Sequence, residues 1–370
     1  MILQFGTSRF LQAHVDLMAG QAMEQGQDVP VITIVQTTGD AQRARRLSAF
    51  ADPAGFPVIL RGIEQGEAVE RSLTVRSVTG GISATGQWPL LVELASGQAE
   101  FIVSNTGDTG YHVAAQDRAH PAPGVVPGGF IPKLLALLHA RWQAGGAPLT
   151  LLPCELVQRN GEVLRKAVLA LATVWGLEAE FADWLARCLW INTLVDRIVS
   201  TPLEPAGAVA EPYALWAVER QPGLTMPFTH PQLVLTDDLA PFEQRKLFIL
   251  NLGHTWLAQC WHEAGADPAV NVRAMLEDGE TLPALRALYE QEILPGFAAH
   301  GMEAASYVEA TIERFANPFL DHRVADIFGN HRDKIVKRVI PFIHWARAAA
   351  PDLALPRLEA LAAIASENAL

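Results

Sequence analysis

The segment MILQFGTSRFLQAH (residues 1–14) predicts how the first half of the chain folds. Residues 2–5 form a short apolar run typical of a buried strand, Gly6 interrupts it, and apolar residues return at helical spacing from Phe10. A strand that enters a helix at a glycine is typical of a nucleotide site, because the free N–H groups of the helix N-terminus attract a pyrophosphate. Of the usual G-x-G-x-x-G pattern only Gly6 is present, so the segment predicts such a turn without two of its glycines.

Strands and helices alternate after this segment. The clearest strands are predicted at 31–36, 101–106 and 149–155, and helices fit at 10–25, 131–144 and 161–175. Residues 53–100 are rich in Thr, Val and Gly and predict additional hairpin-like strands. The alternation indicates βαβ units and therefore an α/β fold, a Rossmann-like doubly wound parallel sheet with helices on both faces.

The pattern changes in the second half of the chain. From about Pro241 onward it is almost wholly helical, which predicts an all-α C-terminal domain. Six prolines between 202 and 232 predict an irregular connection. We therefore expect a Rossmann-like nucleotide-binding domain over 1–235, with the irregular connection at 202–235, and an α-helical substrate and catalytic domain over 236–370.

The composition limits the class of partner and the compartment. The 40 acidic and 28 basic side chains give a formal net charge of -12, which disfavours nucleic acid and anionic membrane surfaces as partners. Three widely spaced cysteines give neither a disulfide framework nor a zinc motif, and the 11 histidines show no ligand spacing, so no metal site is predicted. No signal peptide and no apolar run of roughly 20 residues is found. These features predict a cytoplasmic globular protein and leave its oligomeric state open.

The segment LAPFEQRKLFILNLGHTWLAQCWHEAG (239–265) places three polar residues on one apolar helix that begins near Pro241 and ends at Gly265. At about 100° per residue, Asn251 lies about 140° and His254 about 80° around the helix from Lys246. A lysine against apolar neighbours can act as a general base, because desolvation disfavours its ammonium form, and Asn and His can donate to an alkoxide or carbonyl oxygen. The alternative is that the three residues only pack the helix.

This helix and four further segments carry a family resemblance. The spacing K-x4-N-x2-H resembles the signature of the polyol-specific long-chain dehydrogenases, which include mannitol dehydrogenase, fructuronate reductase and tagaturonate reductase. FGTSRFLQAH resembles the family's G-x3-F-x-x-A-H turn, which lacks the second and third glycines. PCELVQRNG (153–161), NTLVDRIVST (192–201) and RFANP (314–318) resemble further family blocks. ILQFG, PCEL, EPYALW and NPFLDHRVADIFGNHRDKIVKRVIP are more similar to the tagaturonate reductase (altronate dehydrogenase) branch than to mannitol dehydrogenase.

The resemblance implies zinc-independent hydride transfer between NAD and a secondary alcohol of an open-chain sugar acid or polyol, as in hexuronate metabolism. Lys246 would accept the hydroxyl proton during oxidation and return it during reduction, while Asn251 and His254 polarise or position the reacting oxygen. The alternatives are a mannitol- or fructuronate-type oxidoreductase on the same fold and, from another class, a non-catalytic nucleotide-binding sensor.

The resemblance also implies the residues that bind the cofactor. They come from the first turn and from the ends of two later strands, and they are Gly6, Thr7, Ser8, Arg9, Phe10, Gln36, Asn105, Thr106 and Asp108. Gln36 occupies the position at which a Rossmann protein carries its ribose-binding acid. Arg43, Arg45 and Arg46 follow and suit either a 2′-phosphate or an exposed helix face, so NAD is favoured and NADP is not excluded.

One oxyanion donor of the mannitol branch is missing from this sequence. The family's second Asn, in its C-D-N block, is Leu156 here, and Asn192 is the predicted replacement. Asp196 and Arg197 form either a buried structural ion pair or part of the active-site hydrogen-bond network.

The substrate-binding residues of the C-terminal half match the family in part. Lys334 falls on the family's substrate-binding lysine, but the arginine expected eight residues earlier is Asp326. Arg323 or Arg338 is then the candidate partner of a uronate carboxylate.

Overall fold

The computed structural model describes residues 1–39, 46–107, 110–122, 124–320 and 322–366. The chain divides into two units, of which unit 1 is Met1–Leu60 with Glu70–Leu239 and unit 2 is Arg61–Val69 with Ala240–Leu370. Each unit has its own apolar core, and that of unit 1 is divided into two clusters. None of the described helices has the length and apolar composition that crossing a bilayer requires.

Unit 1 is built around a parallel sheet. The strands of unit 1, of which β3 and β4 extend into unit 2, are β1 (Ile2–Phe5), β2 (Ile32–Gln36), β3 (Phe56–Glu64), β4 (Glu67–Val75), β5 (Val78–Ser83), β6 (Phe101–Ser104), β7 (Thr150–Pro153), β8 (Leu189–Trp190), β9 (Thr193–Asp196), β10 (Val199–Pro202), β11 (Ala208–Ala210), β12 (Leu215–Glu219) and β13 (Leu233–Thr236). Its helices are α1 (Arg9–Gln12), α2 (Val15–Glu24), α3 (Trp88–Gly97), α4 (Phe130–Gln143), α5 (Asn160–Val174) and α6 (Ala179–Arg187). Of these, α3 and α6 were not predicted from the sequence.

The main sheet has the strand order of a doubly wound dinucleotide-binding fold, β5-β2-β1-β6-β7-β8, with all pairs parallel. Alternate residues of β1 enter different apolar clusters, because Ile2 packs in one and Leu3 and Phe5 pack in the other. The sheet is therefore covered on both faces, and the predicted α/β fold is confirmed. The order reverses between β1 and β6, whose carboxyl ends form the crevice that binds ligands in such sheets.

The first helix differs from the single helix predicted at 10–25, because α1 ends at Gln12 and α2 begins at Val15. Arg197 donates a hydrogen bond to the carbonyl of Ala13, where a continuous helix would pair that oxygen internally. The buried His14 bonds the carbonyl of Leu215 at 3.0 Å, and this contact fixes the backbone in the break. Contacts from distant residues thus interrupt a helix that the local pattern favours.

Two smaller sheets form in segments whose sequence pattern predicts strands less clearly. The hairpin β3–β4 belongs to the sheet β10-β11-β3-β4 and confirms the strands predicted within 53–100, while β13-β12-β9 forms the third sheet. The prediction of an irregular connection at 202–235 is therefore wrong, because β11, β12 and most of β13 lie within it. The prolines misled the prediction because all of them except the strand-terminal Pro202 lie between strands, where no ladder hydrogen bond is lost.

Unit 2 is helical. Its helices are α7 (Ala240–Arg245), α8 (Leu252–Glu263), α9 (Val272–Leu276), α10 (Thr281–Leu288), α11 (Leu294–Ala299), α12 (Ala305–Phe315), α13 (Val324–Phe328), α14 (His331–Ala349) and α15 (Pro356–Ser366). Two π-helical turns, Lys246–Asn251 and Tyr289–Ile293, join α7 to α8 and α10 to α11. The described part of 240–366 contains no strand, as predicted.

The tip of the β3–β4 hairpin also belongs to unit 2. The N–H of Gly66 donates to Glu313 at 2.9 Å, and the Asn317 amide donates to the carbonyl of Arg61 at 3.3 Å. The nine residues 61–69 therefore fall in the helical unit although they precede the boundary predicted at 235/236. A single boundary along the sequence cannot describe this division.

Candidate active site

Gly6 lies directly after β1, where the strand order reverses. Its φ of +117° is a conformation that L side chains rarely adopt, and an added Cβ would lie under 3.0 Å from the carbonyl oxygen of Asn105. Only a glycine therefore allows the end of β1 to approach the end of β6 this closely. Ser8 then caps α1, because its Oγ accepts a hydrogen bond from the N–H of Leu11 at 3.2 Å.

A cavity of about 300 Å³ opens at the carboxyl ends of β1, β2 and β6. Seven of the predicted cofactor residues line it, namely Gly6, Thr7, Ser8, Arg9, Gln36, Asn105 and Thr106. Thr37, Thr38 and Gly107 also line it and were not predicted. Phe10 instead stacks on His14 at a ring separation of 4.8 Å. Asp108, Arg43 and Arg45 lie outside the described residues.

Two arginines give this cavity a positive charge. Arg9 and Arg46 both line it, and both pair with the exposed Glu204, at 2.7 and 3.4 Å. Burial and the neighbouring Arg46 lower the pKa of Arg9. The Nε of Arg9 is buried and has no hydrogen-bond partner among the described residues. A pyrophosphate would supply both the negative charge and the missing acceptor.

Glu155 organises the loop that follows β6, and sequence reasoning gave it no role. Its buried carboxylate accepts hydrogen bonds from Ser104, from the backbone and side chain of Thr106, and from Tyr111, at 3.0–3.1 Å. Burial raises the pKa of Glu155, and the hydrogen bonds from Thr106, Ser104 and Tyr111 partly offset this by lowering it. The glutamate thus holds Thr106, which lines the cavity. The available signal was an acid directly after a buried strand, within the PCELVQRNG segment.

We expect Glu155→Gln to weaken NADH binding about tenfold, the equivalent of losing one buried hydrogen bond to a charged group. Glutamine has one oxygen and one NH2 group, so it can keep an acceptor toward Thr106 or toward Ser104 and Tyr111 but not toward both, and the negative charge that all four bonds now meet is lost. Titration of nicotinamide fluorescence measures the Kd. Glu162→Gln, at an exposed carboxylate of α5, is the matched control, and a wild-type Kd in Glu155→Gln would contradict the prediction.

Lys246 and Asn251 are the first and last residues of the first π turn, and His254 is the third residue of α8. The N–H of Leu252 donates to the carbonyls of Leu247 and Ile249, and the Leu247 bond spans the five residues that define a π turn. Lys246 and Asn251 are half-buried, and His254 is buried.

The π turn changes the angles expected from a regular helix. It takes up about one residue more than an α turn, so residues five and eight apart across it are placed like residues four and seven apart in an α-helix. At about 100° per residue, Asn251 then lies about 40° and His254 about 20° to either side of Lys246. The angle of about 140° between Lys246 and Asn251 that a regular helix predicts is therefore wrong for this turn. With the smaller angles, all three residues lie on one face of the helix.

His322 lies beside His254 and was not predicted. The two rings are 4.9 Å apart in an edge-to-face arrangement, and Phe315 contacts the His254 ring at 4.4 Å. Burial lowers the pKa of His322, the nearby Asp326 raises it and Lys334 lowers it. The imidazole is therefore neutral near pH 7 and can both donate and accept a hydrogen bond. His322 lies in the segment NPFLDHRVADIFGNH, which the sequence analysis had singled out, but only the fold brings it beside His254.

Lys334 and Arg338 form a positive pair one turn apart on α14. Lys334 donates to the carbonyl of Ile327 at 2.5 Å, and Arg338 donates to the carbonyl of Asn251 at 3.0 Å and to Thr255 at 3.1 Å. Burial lowers the pKa of both, and the charge of Arg338 further lowers that of Lys334. Within the described ranges neither forms a salt bridge, so an anion bound here would relieve their repulsion.

The predicted substrate residues of unit 1 are largely occupied in structural contacts. Asn192 is buried, donates to Glu219 at 2.6 Å and accepts from the N–H of Glu162 at 3.1 Å, so it caps α5 rather than presenting a free amide. Arg197 is buried and donates to the carbonyls of Ala13, Pro212 and Tyr213.

These partners argue against Asn192 and Arg197 as substrate ligands, because all three nitrogens of the Arg197 guanidinium and both polar atoms of the Asn192 amide are already bound to protein groups. Asp196 is buried in β9 and Leu156 is exposed. Arg323 is exposed at the start of α13, where its backbone pairs with Asn271.

Two family models match nearly the whole chain. The model for the mannitol dehydrogenase Rossmann domain matches residues 1–227, and the model for the mannitol dehydrogenase C-terminal domain matches residues 238–367.

Similar proteins agree with these models. The altronate oxidoreductase of Bacillus subtilis (strain 168) is 31% identical over 366 residues, which cover 92% of this chain and 74% of that protein. The altronate oxidoreductase of Yersinia pestis is 32% identical over 365 residues, with the same coverage. A substrate-free D-sorbitol dehydrogenase superposes with a TM-score of 0.81 at 22% identity, covering 98% of this chain and 80% of that one. Pseudomonas fluorescens mannitol 2-dehydrogenase, in a ternary complex with NAD and D-mannitol, superposes with a TM-score of 0.74 at 22% identity. The superposition covers 98% of this chain and 78% of that one.

Proposed function

The chain belongs to the mannitol dehydrogenase family, and from that premise we propose that it is an NAD-dependent oxidoreductase that interconverts altronate and tagaturonate. The observation that carries the proposal is the π turn, from which we infer that Lys246, Asn251 and His254 lie on one face of the helix. Relatives named altronate oxidoreductase at 31–32% identity support the sugar-acid substrate.

The residues of unit 1 fit a dinucleotide. The cavity beside Gly6 lies at the crevice where such sheets bind nucleotides, and Arg9 and Arg46 supply positive charge for the pyrophosphate. Gln36 and Thr37 at the end of β2 would face the adenosine ribose, and Asn105 and Thr106 the nicotinamide side. Bound NAD(H) supplies the hydride acceptor or donor.

Lys246 is the proposed general base and acid. During oxidation of the alcohol its amine takes the hydroxyl proton as the C–H bond breaks, and during reduction the ammonium returns that proton to the oxygen. In this scheme no metal takes part. The proton and the hydride together account for the two hydrogens that leave the carbinol.

Asn251 and His254 are the proposed donors to the reacting oxygen, because they lie on the same face as Lys246. His322, at 4.9 Å from His254, is a candidate for the donor that the mannitol branch supplies at the position of Leu156. Its half-buried ring belongs to the same unit as the other three residues, whereas the amide of Asn192 is engaged elsewhere.

Lys334 and Arg338 are the proposed partners of the substrate carboxylate. This like-charged pair forms no salt bridge with the residues that the structure describes, and Arg338 also donates a hydrogen bond to the backbone carbonyl of Asn251. A carboxylate bound here would lie near the reacting end of the helix and would favour an acid over a neutral polyol. Exposed Arg323 is the second candidate for this role.

Parallel assays with NADH and tagaturonate, fructuronate or fructose test the proposal. We expect the highest kcat/KM for tagaturonate, because the chain and its named relatives share the sugar-acid branch. Activity confined to fructose would contradict the sugar-acid substrate and would support a polyol oxidoreductase instead. Absence of turnover with either NADH or NADPH on a broad panel would favour the nucleotide-binding sensor.

The variant Lys334→Met separates carboxylate recognition from catalysis. It keeps the length of the side chain and removes the charge, so we expect KM for the keto acid to rise about tenfold, with a much smaller change for a neutral keto sugar. Lys337→Met, at an exposed lysine of the same helix, is the control. An equal effect on charged and neutral substrates would contradict the assignment.

A further inference from the structure

We propose that Tyr289 is a positioning residue, which holds the Lys246–Asn251 π turn in register through one buried hydrogen bond. The inference rests on the proposed function for its kinetic consequence, but the contact itself lies wholly within unit 2. It explains why Lys246, Asn251 and His254 can be spaced K-x4-N-x2-H and still lie on one face.

The spacing K-x4-N-x2-H brings the three residues to one face only if the helix between them is not a regular α-helix. In a regular α-helix residues five apart point in directions that differ by about 140°, and residues eight apart by about 80°. The π turn removes most of both offsets, as derived above. If this turn relaxed to α-helical pairing, Asn251 and His254 would rotate away from Lys246, and the proton carrier would no longer share a face with the donors to the reacting oxygen.

Tyr289 reaches into this turn from another helix. Its hydroxyl donates to the carbonyl of Ile249 at 3.0 Å, and Ile249 lies inside the Lys246–Asn251 turn. Tyr289 is fully buried, and burial raises the pKa of its phenol, so the hydroxyl stays protonated as a donor. It is also the first residue of the second π turn, in which the N–H of Leu294 donates back to the carbonyl of Tyr289. The two π turns therefore pack against each other through this side chain.

Gly253 provides the space for this contact. A Cβ at position 253 would lie under 3.0 Å from the Tyr289 hydroxyl oxygen and 3.2 Å from the ring of Phe315. The backbone at Gly253 is helical, so its lack of a side chain serves the approach of the hydroxyl rather than a special φ. The other end of the turn is held by Thr255 and Arg338, which donate to the Asn251 carbonyl at 2.9 and 3.0 Å.

The variant Tyr289→Phe removes the hydroxyl and keeps the ring. Because a misplacement of about 1 Å can cost about 100-fold in rate, we expect kcat to fall about 10- to 100-fold, with little change in KM or in the Kd for NADH. The rates are measured with whichever substrate the wild type turns over best. Tyr307→Phe on α12 is the matched control and should retain wild-type kcat.

A double variant separates positioning from stability. Gly253→Ala alone should lower both Tm and kcat, because its methyl group displaces the hydroxyl. In Gly253→Ala/Tyr289→Phe that methyl occupies the space which the hydroxyl leaves, so Tm should recover while kcat stays low. A kcat that recovers together with Tm, or a wild-type kcat in Tyr289→Phe, would overturn the proposal.

Hydrogen exchange gives a readout that does not depend on the reaction. Amides of 246–255 should exchange at least severalfold faster in Tyr289→Phe, while the remainder of unit 2 keeps its protection. Unchanged exchange in this segment would overturn the inference even for an active enzyme. If the wild type turns over no sugar acid but the segment still exchanges faster in Tyr289→Phe than in the wild type, the inference is supported and only the proposed function is rejected.

Discussion

Lys246→Met should lower kcat about 10²- to 10⁴-fold, the usual contribution of a general acid or base. Methionine matches the length and apolar stem of lysine, so the half-buried site keeps its packing while the proton carrier is lost. The Kd for NADH should stay nearly unchanged, because the cavity with the predicted cofactor residues is lined by residues of unit 1. Initial rates and a fluorescence titration on the same preparation measure both quantities.

Lys337→Met serves as the control for loss of a lysine from unit 2, since Lys337 is exposed on α14. A Lys246→Met enzyme with more than about a tenth of the wild-type kcat would remove Lys246 from the proton transfer. A parallel loss of NADH affinity would instead indicate that the substitution disturbs more than chemistry. Retention of the thermal transition is the check on folding.

Gly6→Ala should weaken NADH binding by at least tenfold and lower Tm. The added Cβ would lie under 3.0 Å from the backbone of Asn105, and φ at Gly6 is +117°. Forcing an L residue into a strained backbone conformation costs about 1–3 kcal/mol, and the overlap requires a shift at the junction of β1 and β6. Both strand ends contribute residues to the cavity, so the shift and the loss of affinity have one cause.

Gly26→Ala is the matched control for Gly6→Ala. Gly26 also has positive φ, +83°, but an added Cβ would meet nothing within 4 Å. It should therefore show a modest loss of stability with unchanged NADH affinity. Equal effects of the two variants on NADH binding would mean that the close approach of Gly6 to Asn105 has no role in the cofactor site.

Much of the fold was predictable because its signals are local. The apolar run at 2–5 and the glycine after it gave β1 and the turn, and the later strands and helices of the main sheet follow the same periodicities. Motif spacing also indicated the family, which the domain models and relatives confirm. The strands of 208–236 were missed because they are short and follow prolines. They become strands only through hydrogen bonding to neighbouring strands, which the local sequence does not show.

The candidate site was predictable as a set of residue types but not as an arrangement. The sequence nominated Lys246, Asn251 and His254, while His322 and Glu155 emerged only when the fold brought them to His254 and Thr106. Asn192 and Arg197 looked equally available in the sequence, and their buried structural partners became visible only in the structure.

By itself, the sequence determined the doubly wound sheet, the helical second half, the glycine turn and the residues able to exchange a proton, since periodicity and residue chemistry are properties of neighbours along the chain. Only the tertiary structure decided that the helix carrying Lys246 widens into a π turn, that Tyr289 donates to it and that Gly253 makes room. The reason is that such a turn gives up regular helical pairing, and the buried hydrogen bond from Tyr289 that we propose to hold it comes from 40 positions away in the chain.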